Sequence, residues 1–238
     1  MGTWSRKQLV SDFLLSFMWV WSSIVVKIIV SRILVNGGGD AYGEIVKTGF
    51  SIANMFLFSF LCSFLGGAYN PLTVLSSGIS GNFDNFLYTV GARIPAQVVG
   101  SITGVRYILR TFPGIGTGPI LKVDIHHGAL TEGLLTFAIV FISLGLSVKI
   151  PSGFFMKTWI TSVSKVSLHI LGSDLTGGCM NPAAVMGWAF ARGDHLTRNH
   201  IIVYWLAPIE GTLVAVWLFR LLVQPSKKDS SVDKKKSQ

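Results

Sequence analysis

Charged residues are scarce in this chain, and cysteines are almost absent. Of its 238 residues only 13% are charged, 50% are hydrophobic and two are cysteine. Cys62 and Cys179 have no Cys-x-x-Cys spacing, so the sequence predicts neither a disulfide framework nor a zinc site, and we expect no metal or cofactor. So low a charge content is unusual for a water-soluble domain and favours a chain that spans a lipid bilayer.

Apolar stretches of membrane-spanning length recur along the chain. A helix needs about 20 apolar residues to cross a bilayer, and candidates lie near 9–26, 45–66, 86–109, 129–148, 158–172 and 201–223. The first stretch is too long for a signal peptide and lacks a small-residue cleavage site, so we expect it to remain as a helix. Six spans place both termini on one side, and the tail lysines favour the cytosol.

The net charge of +9 does not indicate nucleic-acid binding. The basic residues lie near the ends of the predicted spans or in the lysine-rich tail at 226–238, and no DNA- or RNA-binding motif accompanies them. We therefore interpret them as membrane-flanking charge, and we expect the polar tail to be disordered.

Two short stretches of the chain repeat each other. Gly67–Leu72 reads GAYNPL and Gly178–Ala183 reads GCMNPA, which places the two asparagines 111 residues apart (181 − 70). Gln97-x-x-Gly100 and Pro208-x-x-Gly211 keep the same offset. A register kept over two features indicates duplicated halves, predicted at 1–112 and 113–225. In a membrane chain, such halves with interrupted apolar segments indicate a transport path near the bilayer midplane.

Each Asn-Pro pair predicts the start of a short helix, because asparagine is a favoured N-cap and proline a favoured first residue. The apolar runs that follow, 72–75 and 183–190, are too short to span the bilayer. We expect half-helices that enter from opposite faces and meet at their N-termini, where their dipoles oppose cations and protons. The residues predicted at this midplane are Asn70, Pro71, Leu72, Asn181, Pro182 and Ala183.

These features resemble the major intrinsic proteins, the aquaporin family, over nearly all of residues 8–223. Acidic residues near the start of each half and Tyr204-Trp205-x-x-Pro208 also match the family. Leu72 in place of the usual alanine, the short basic chain and the lysine-ended tail resemble the plant small basic intrinsic proteins, second subgroup. The resemblance implies an all-α membrane protein of the endoplasmic reticulum, with six transmembrane helices and two re-entrant half-helices in an inverted repeat. It also implies one pore per subunit of a homotetramer.

The resemblance further implies a selectivity constriction on the non-cytosolic side of the asparagine pair. The family positions fall on Ser51, His169, Gly178 and Ala184. Water-selective members carry arginine at the last of these, so we expect a wider and less charged constriction that admits small neutral solutes as well as water. Leu72 adds bulk beside the asparagines and acts in the opposite direction.

Lys165, Glu132 and Asp12 are ionisable residues inside the predicted spans. Lys165 shares a helical face with His169, and two interpretations stay open. It is either a pore charge that replaces the missing arginine, or a side chain that snorkels to the cytosolic interface or pairs with Glu132 or Asp12. We expect the two carboxylates to accept hydrogen bonds from backbone N–H groups of the re-entrant loops rather than to carry protons.

Some motifs have mainly structural interpretations. Gly100-x-x-x-Gly104 indicates a close helix contact, either inside a subunit or between subunits. The tryptophans, Trp19 among them, are expected to anchor the membrane interface or to pack in the core.

A passive channel for water or small neutral solutes has two competitors. One is a membrane protein that keeps the fold with little conduction and has a structural or regulatory role. The remote one is a rhomboid-like intramembrane serine protease, because Gly78-Ile79-Ser80-Gly81 matches its Gly-x-Ser-Gly motif and His169 is a candidate base. We expect this motif in a cytosolic loop. The match leaves the 111-residue repeat unexplained (181 − 70), so we predict no enzyme activity.

The tail ends in Lys235-Lys236-Ser237-Gln238. Lysines in these positions resemble the dilysine retrieval signal of reticulum membrane proteins. We therefore expect a location in the endoplasmic reticulum membrane and contact with coat machinery. The alternative is a solvated run of charge.

Overall fold

Helices make up most of the described part of the chain. The computed structural model describes residues 5–30, 41–80 and 83–223. The lysine-rich tail, with the predicted retrieval residues Lys235 and Lys236, lies outside them. Within the described residues the α-helices are α1 (Arg6–Ile28), α2 (Ala41–Leu65), α3 (Pro71–Ser80), α4 (Phe83–Tyr88), α5 (Ile94–Thr111), α6 (Ile125–Lys149), α7 (Phe154–Gly172), α8 (Pro182–Arg192), α9 (Arg198–Ile201) and α10 (Ala207–Val223).

Two π-helical turns join neighbouring helices into longer rods. Thr89–Arg93 connects α4 to α5, and Ile202–Leu206 connects α9 to α10. The described residues therefore form six rods, namely α1, α2, α4–α5, α6, α7 and α9–α10, and the two short helices α3 and α8. Four of these rods, α1, α2, α6 and α9–α10, are long and apolar enough to cross a membrane. The predicted all-α membrane fold is confirmed.

The half-helices begin at the two Asn-Pro pairs. The side-chain Oδ1 of Asn70 accepts a hydrogen bond from the Leu72 N–H at 3.0 Å, and Oδ1 of Asn181 accepts one from the Ala184 N–H at 3.3 Å. Both bonds satisfy helix N–H groups that would otherwise lack partners.

Helix α3 is longer than the apolar run predicted. It continues to Ser80, so the expectation that the Gly-x-Ser-Gly motif lies in a loop is wrong for Gly78–Ser80. These residues form the last turn of the half-helix instead.

The closest helix contacts repeat in the two halves, and both occur at glycines. A Cβ atom on Gly100 of α5 would overlap the Phe13 carbonyl oxygen of α1, and one on Gly211 of α10 would overlap the Gly133 carbonyl oxygen of α6. Gly104 also faces α1. The Gly100-x-x-x-Gly104 contact therefore lies inside the subunit. The close contact between α1 and α5 in the first half corresponds to the one between α6 and α10 in the second half.

We expect Gly100→Ala to lower the stability of the folded protein. The added methyl group has no room against the α1 backbone, and overpacking of this kind costs about 1–3 kcal/mol. The midpoint of thermal unfolding in detergent micelles would measure the loss. Gly145→Ala is the matched control, because a Cβ atom there has nothing within 4 Å and alanine favours a helix interior. Equal midpoints for the two variants would contradict the close contact.

Candidate functional site

The two re-entrant loops are joined by reciprocal hydrogen bonds. The Asn70 side-chain amide donates to the Met180 carbonyl oxygen at 2.7 Å, and the Asn181 amide donates to the Tyr69 carbonyl oxygen at 3.2 Å. Each asparagine thus caps its own half-helix and holds the residue that precedes the other asparagine. Asn70 is 7% exposed and Asn181 is 3% exposed, so the two amides meet in the buried interior. Each amide has two N–H groups, and the bond to the opposite loop uses one of them.

Glu132 of α6 supports the second loop. Its Oε1 accepts hydrogen bonds from the Thr176 hydroxyl at 2.7 Å and the Cys179 N–H at 2.8 Å, and its Oε2 accepts one from the Met180 N–H at 2.9 Å. Met180 has a φ of +46°, a left-handed conformation that a side chain rarely adopts. Because the N–H and the carbonyl of Met180 are both bonded, the loop keeps this strained conformation.

Asp12 of α1 supports the first loop in a different way. Its Oδ1 accepts a hydrogen bond from the Ala68 N–H at 2.6 Å. The carboxylate also pairs with Arg93, at 2.7 Å to Nε and 2.9 Å to Nη2. Asp12 is fully buried, so the bidentate arginine compensates a charge that burial would otherwise disfavour.

Two cavities meet beside the asparagine pair. The α8-side cavity, of about 730 Å³, includes Asn181 in its wall. The α3-side cavity, of about 400 Å³, includes Asn70 and is rich in hydroxyl groups. Three residues line both cavities, namely Met55, Lys165 and Met180. We call the place where these three lie the junction.

All four residues predicted at the constriction line the α8-side cavity, namely Ser51, His169, Gly178 and Ala184. Gly178 has a φ of +51°, and a Cβ atom there would lie 2.5 Å from the His169 carbonyl oxygen, so only glycine fits. Nδ1 of His169 lies 3.1 Å from the Gly178 carbonyl oxygen. A carbonyl oxygen only accepts, so Nδ1 carries a proton in this contact.

The remaining midplane residues are packed rather than open. Leu72 is 2% exposed and Ala183 is fully buried, and Pro71 and Pro182 are buried as well. Leu72 borders the α3-side cavity but presents almost no surface to it. Its side chain is therefore almost entirely enclosed by neighbouring residues.

Lys165 of α7 lies over two aromatic rings. Its Nζ is 5.6 Å from the centroid of Trp19 and 5.3 Å from that of Tyr69. The two rings stack with centroids 4.3 Å apart. Among the residues that the structure describes, no ion pair joins Lys165 to Asp12 or Glu132, the partners considered from the sequence.

Sequence reasoning missed several residues of this site. Trp19 was expected at the interface or in the core, yet it lines the α8-side cavity, as does Asn54, whose amide donates to the Ser22 hydroxyl at 3.1 Å. A signal for Trp19 exists, since it lies two helical turns after Asp12 and so on the same face of α1. A signal for Tyr69 exists as well, since this residue directly precedes Asn70 in the repeated motif.

Comparisons with known proteins agree with this geometry. Residues 3–219 match the family model described as Major intrinsic protein. The chain is 55% identical to the probable aquaporin SIP2-1 of Arabidopsis thaliana, with 96% of this chain and 97% of that protein covered. It is 47% identical to aquaporin SIP2-1 of Oryza sativa subsp. japonica, with 96% and 92% covered.

The fold also resembles a solved structure. The aquaglyceroporin from Plasmodium falciparum superimposes with a TM-score of 0.71 at 17% identity, covering 92% of this chain and 97% of that one. Members of the matched family are channels rather than enzymes, which sets aside the protease interpretation of Ser80. The paired re-entrant half-helices and these matches together show that the chain belongs to the major intrinsic protein family.

Proposed function

We propose that this protein is a passive channel for water and small neutral solutes in the endoplasmic reticulum membrane. The observation that carries the proposal is the asparagine pair between the two cavities. Each amide has two N–H groups, and one of them is used in the bond to the opposite loop. The other is free to donate a hydrogen bond to the oxygen of a passing molecule. The pair therefore orients that molecule but neither gives it a proton nor takes one from it.

The α8-side cavity supports a wide choice of solute. Ser51, Gly178 and Ala184 put small, uncharged groups in its wall, where a larger or charged side chain would narrow the path. We infer that the constriction there selects by size only weakly, and that small neutral solutes pass as well as water.

One observation favours the second candidate, an aquaporin-fold protein with little conduction and a structural or regulatory role. Met55, Lys165 and Met180 lie between the two cavities and line both of them. If these side chains close the junction in the membrane, the fold would be kept without transport.

We further infer a homotetramer in the lipid bilayer, with both termini in the cytosol. The path runs through one chain, so each subunit would have its own pore. Large apolar side chains face outwards on the described surface, where lipid or a neighbouring subunit would cover them; examples are Phe60, Phe64, Phe155, Trp159 and Leu171. Lys235 and Lys236 support retention in the reticulum through coat machinery.

We expect purified wild-type protein in liposomes to shrink the vesicles rapidly under an osmotic step, with a low activation energy. Asn181→Asp should return the rate to that of empty liposomes, because it removes the donor to Tyr69 and places a charge that costs about 3 kcal/mol near the bilayer centre. Stopped-flow light scattering measures both rates. The control is Asn199→Asp, an exposed site outside both cavity walls. Wild-type vesicles that shrink no faster than empty ones would favour the second candidate.

We expect Lys165→Met to raise cation leak at least roughly tenfold. A unit charge about 7 Å from a permeating ion contributes on the order of 2 kcal/mol at an effective dielectric constant of about 20. Potassium flux into the same liposomes is the measurement. Lys149→Met removes an equal charge from an exposed position at the end of α6 and should leave the leak unchanged. Unaltered cation exclusion in Lys165→Met would reject a pore charge.

Replacement of Lys235 and Lys236 by serine should move the protein from the reticulum to later compartments. Replacement of Lys227 and Lys228 by serine removes the same charge from the tail and should not. An N-terminal fluorescent fusion leaves the tail end free for this comparison. Retention of both variants would favour the solvated charge run over a retrieval signal.

A further inference from the structure

Lys165 is an ammonium group in the path that has no carboxylate partner among the described residues. The two carboxylates that the sequence offers as partners are already bound, since Asp12 pairs with Arg93 and Glu132 accepts three neutral hydrogen bonds. Trp19 and Tyr69 hold the ammonium over their faces. Such contacts are attractive by about 0.5–2 kcal/mol, but the rings carry no net charge and do not neutralise the lysine.

The described walls of both cavities carry an excess of positive charge. The α8-side cavity has Lys27, Lys47, Glu44 and Lys165 in its wall, and Glu44 pairs with Lys47 at 3.2 Å. Lys165 is the only charged side chain among the described residues of the α3-side wall. Lys27 also lacks an acidic partner but donates to the Ile115 carbonyl oxygen at 3.0 Å, so Lys165 is the one charge without an acidic partner that the described walls of both cavities share.

The side chains around this point offer donors. Lys165 has three N–H groups and no acceptor, and Asn70 and Asn181 keep one N–H each after their loop bonds. Helices α3 and α8 add the positive ends of their dipoles from opposite sides. A buried ammonium is unfavourable until a counter-charge compensates it, and in a path open to solution that counter-charge is a mobile ion.

We propose that the junction is a binding position for a small monovalent inorganic anion, held by the Lys165 ammonium and the free N–H groups of the asparagine amides. The site rests on the proposed path through the two cavities. It goes beyond that function because an occupied junction would slow water, and because an anion that leaves on the far side would be transported.

Two measurements on liposomes that contain the full chain test this site, with chloride as the probe. The first is osmotic shrinkage under a sucrose step in chloride and in gluconate at equal ionic strength. The second is chloride entry, followed by the quenching of trapped lucigenin under a potassium diffusion potential. We expect at least one of two results. Either shrinkage is at least twofold slower in chloride than in gluconate, or chloride enters these liposomes at least twofold faster than it enters empty ones.

Three variants assign the effect to the junction. Lys165→Met should abolish the chloride effect and Lys165→Arg should keep it, because arginine retains the positive charge and its donors. Lys149→Met is the matched control and should behave like the wild type, since it lies outside both cavity walls. Equal elution volumes and circular dichroism spectra establish that the variants are folded.

The outcomes separate the anion site from the channel. Fast shrinkage that is equal in both salts, without chloride entry, overturns the anion site and leaves the water channel standing. A chloride effect that persists in Lys165→Met also overturns the site. Chloride entry that depends on Lys165, in liposomes that shrink slowly in both salts, supports the site and contradicts water permeation. Absence of both activities overturns both proposals.

Discussion

The rest of the structure depends on the two hydrogen bonds that join the re-entrant loops. Each asparagine amide reaches the carbonyl oxygen just before the opposite asparagine, at 2.7 Å from Asn70 and 3.2 Å from Asn181. If either bond were lost, a buried carbonyl would lack a partner, at a cost of about 1–3 kcal/mol. The bonds also fix where the half-helices meet, and so determine which side chains of α1, α2 and α7 border the path.

The two halves support these loops with different chemistry. In the first half, Arg93 forms an ion pair with Asp12. At the position 111 residues later (204 − 93), Tyr204 donates its hydroxyl to the Thr176 carbonyl oxygen at 2.8 Å, and Thr176 in turn donates to Glu132. The repeat therefore preserves the position of a supporting side chain but not its charge. A buried ion pair stabilises only when both members are present. The first loop therefore depends more strongly on its single ion pair than the second loop depends on any one of its hydrogen bonds.

The sequence was sufficient to predict the features that short motifs and the offset between them determine. The Asn-Pro pairs predicted the starts of α3 and α8, and the 111-residue register (181 − 70) predicted the duplicated halves. The length of α3 was missed because Ser76 and Ser77 end the apolar run. In the structure both hydroxyls donate to the Thr73 carbonyl oxygen, which satisfies them inside the helix. The group formed by Trp19, Tyr69 and Lys165 was missed for another reason, since it joins three segments far apart in sequence.

The place of Lys165 suggests how charge and width are divided along the path. The small side chains of Ser51 and Ala184 border the larger cavity, and we infer that a solute there would keep much of its hydration. Dehydration would then be concentrated at the junction, which Lys165 lines, next to the asparagine of each cavity wall. A charge acts most strongly where water is excluded. We infer that one cation at the junction has more influence on selectivity than a cation at position 184 would have, and that the alanine there therefore does not imply an unselective channel.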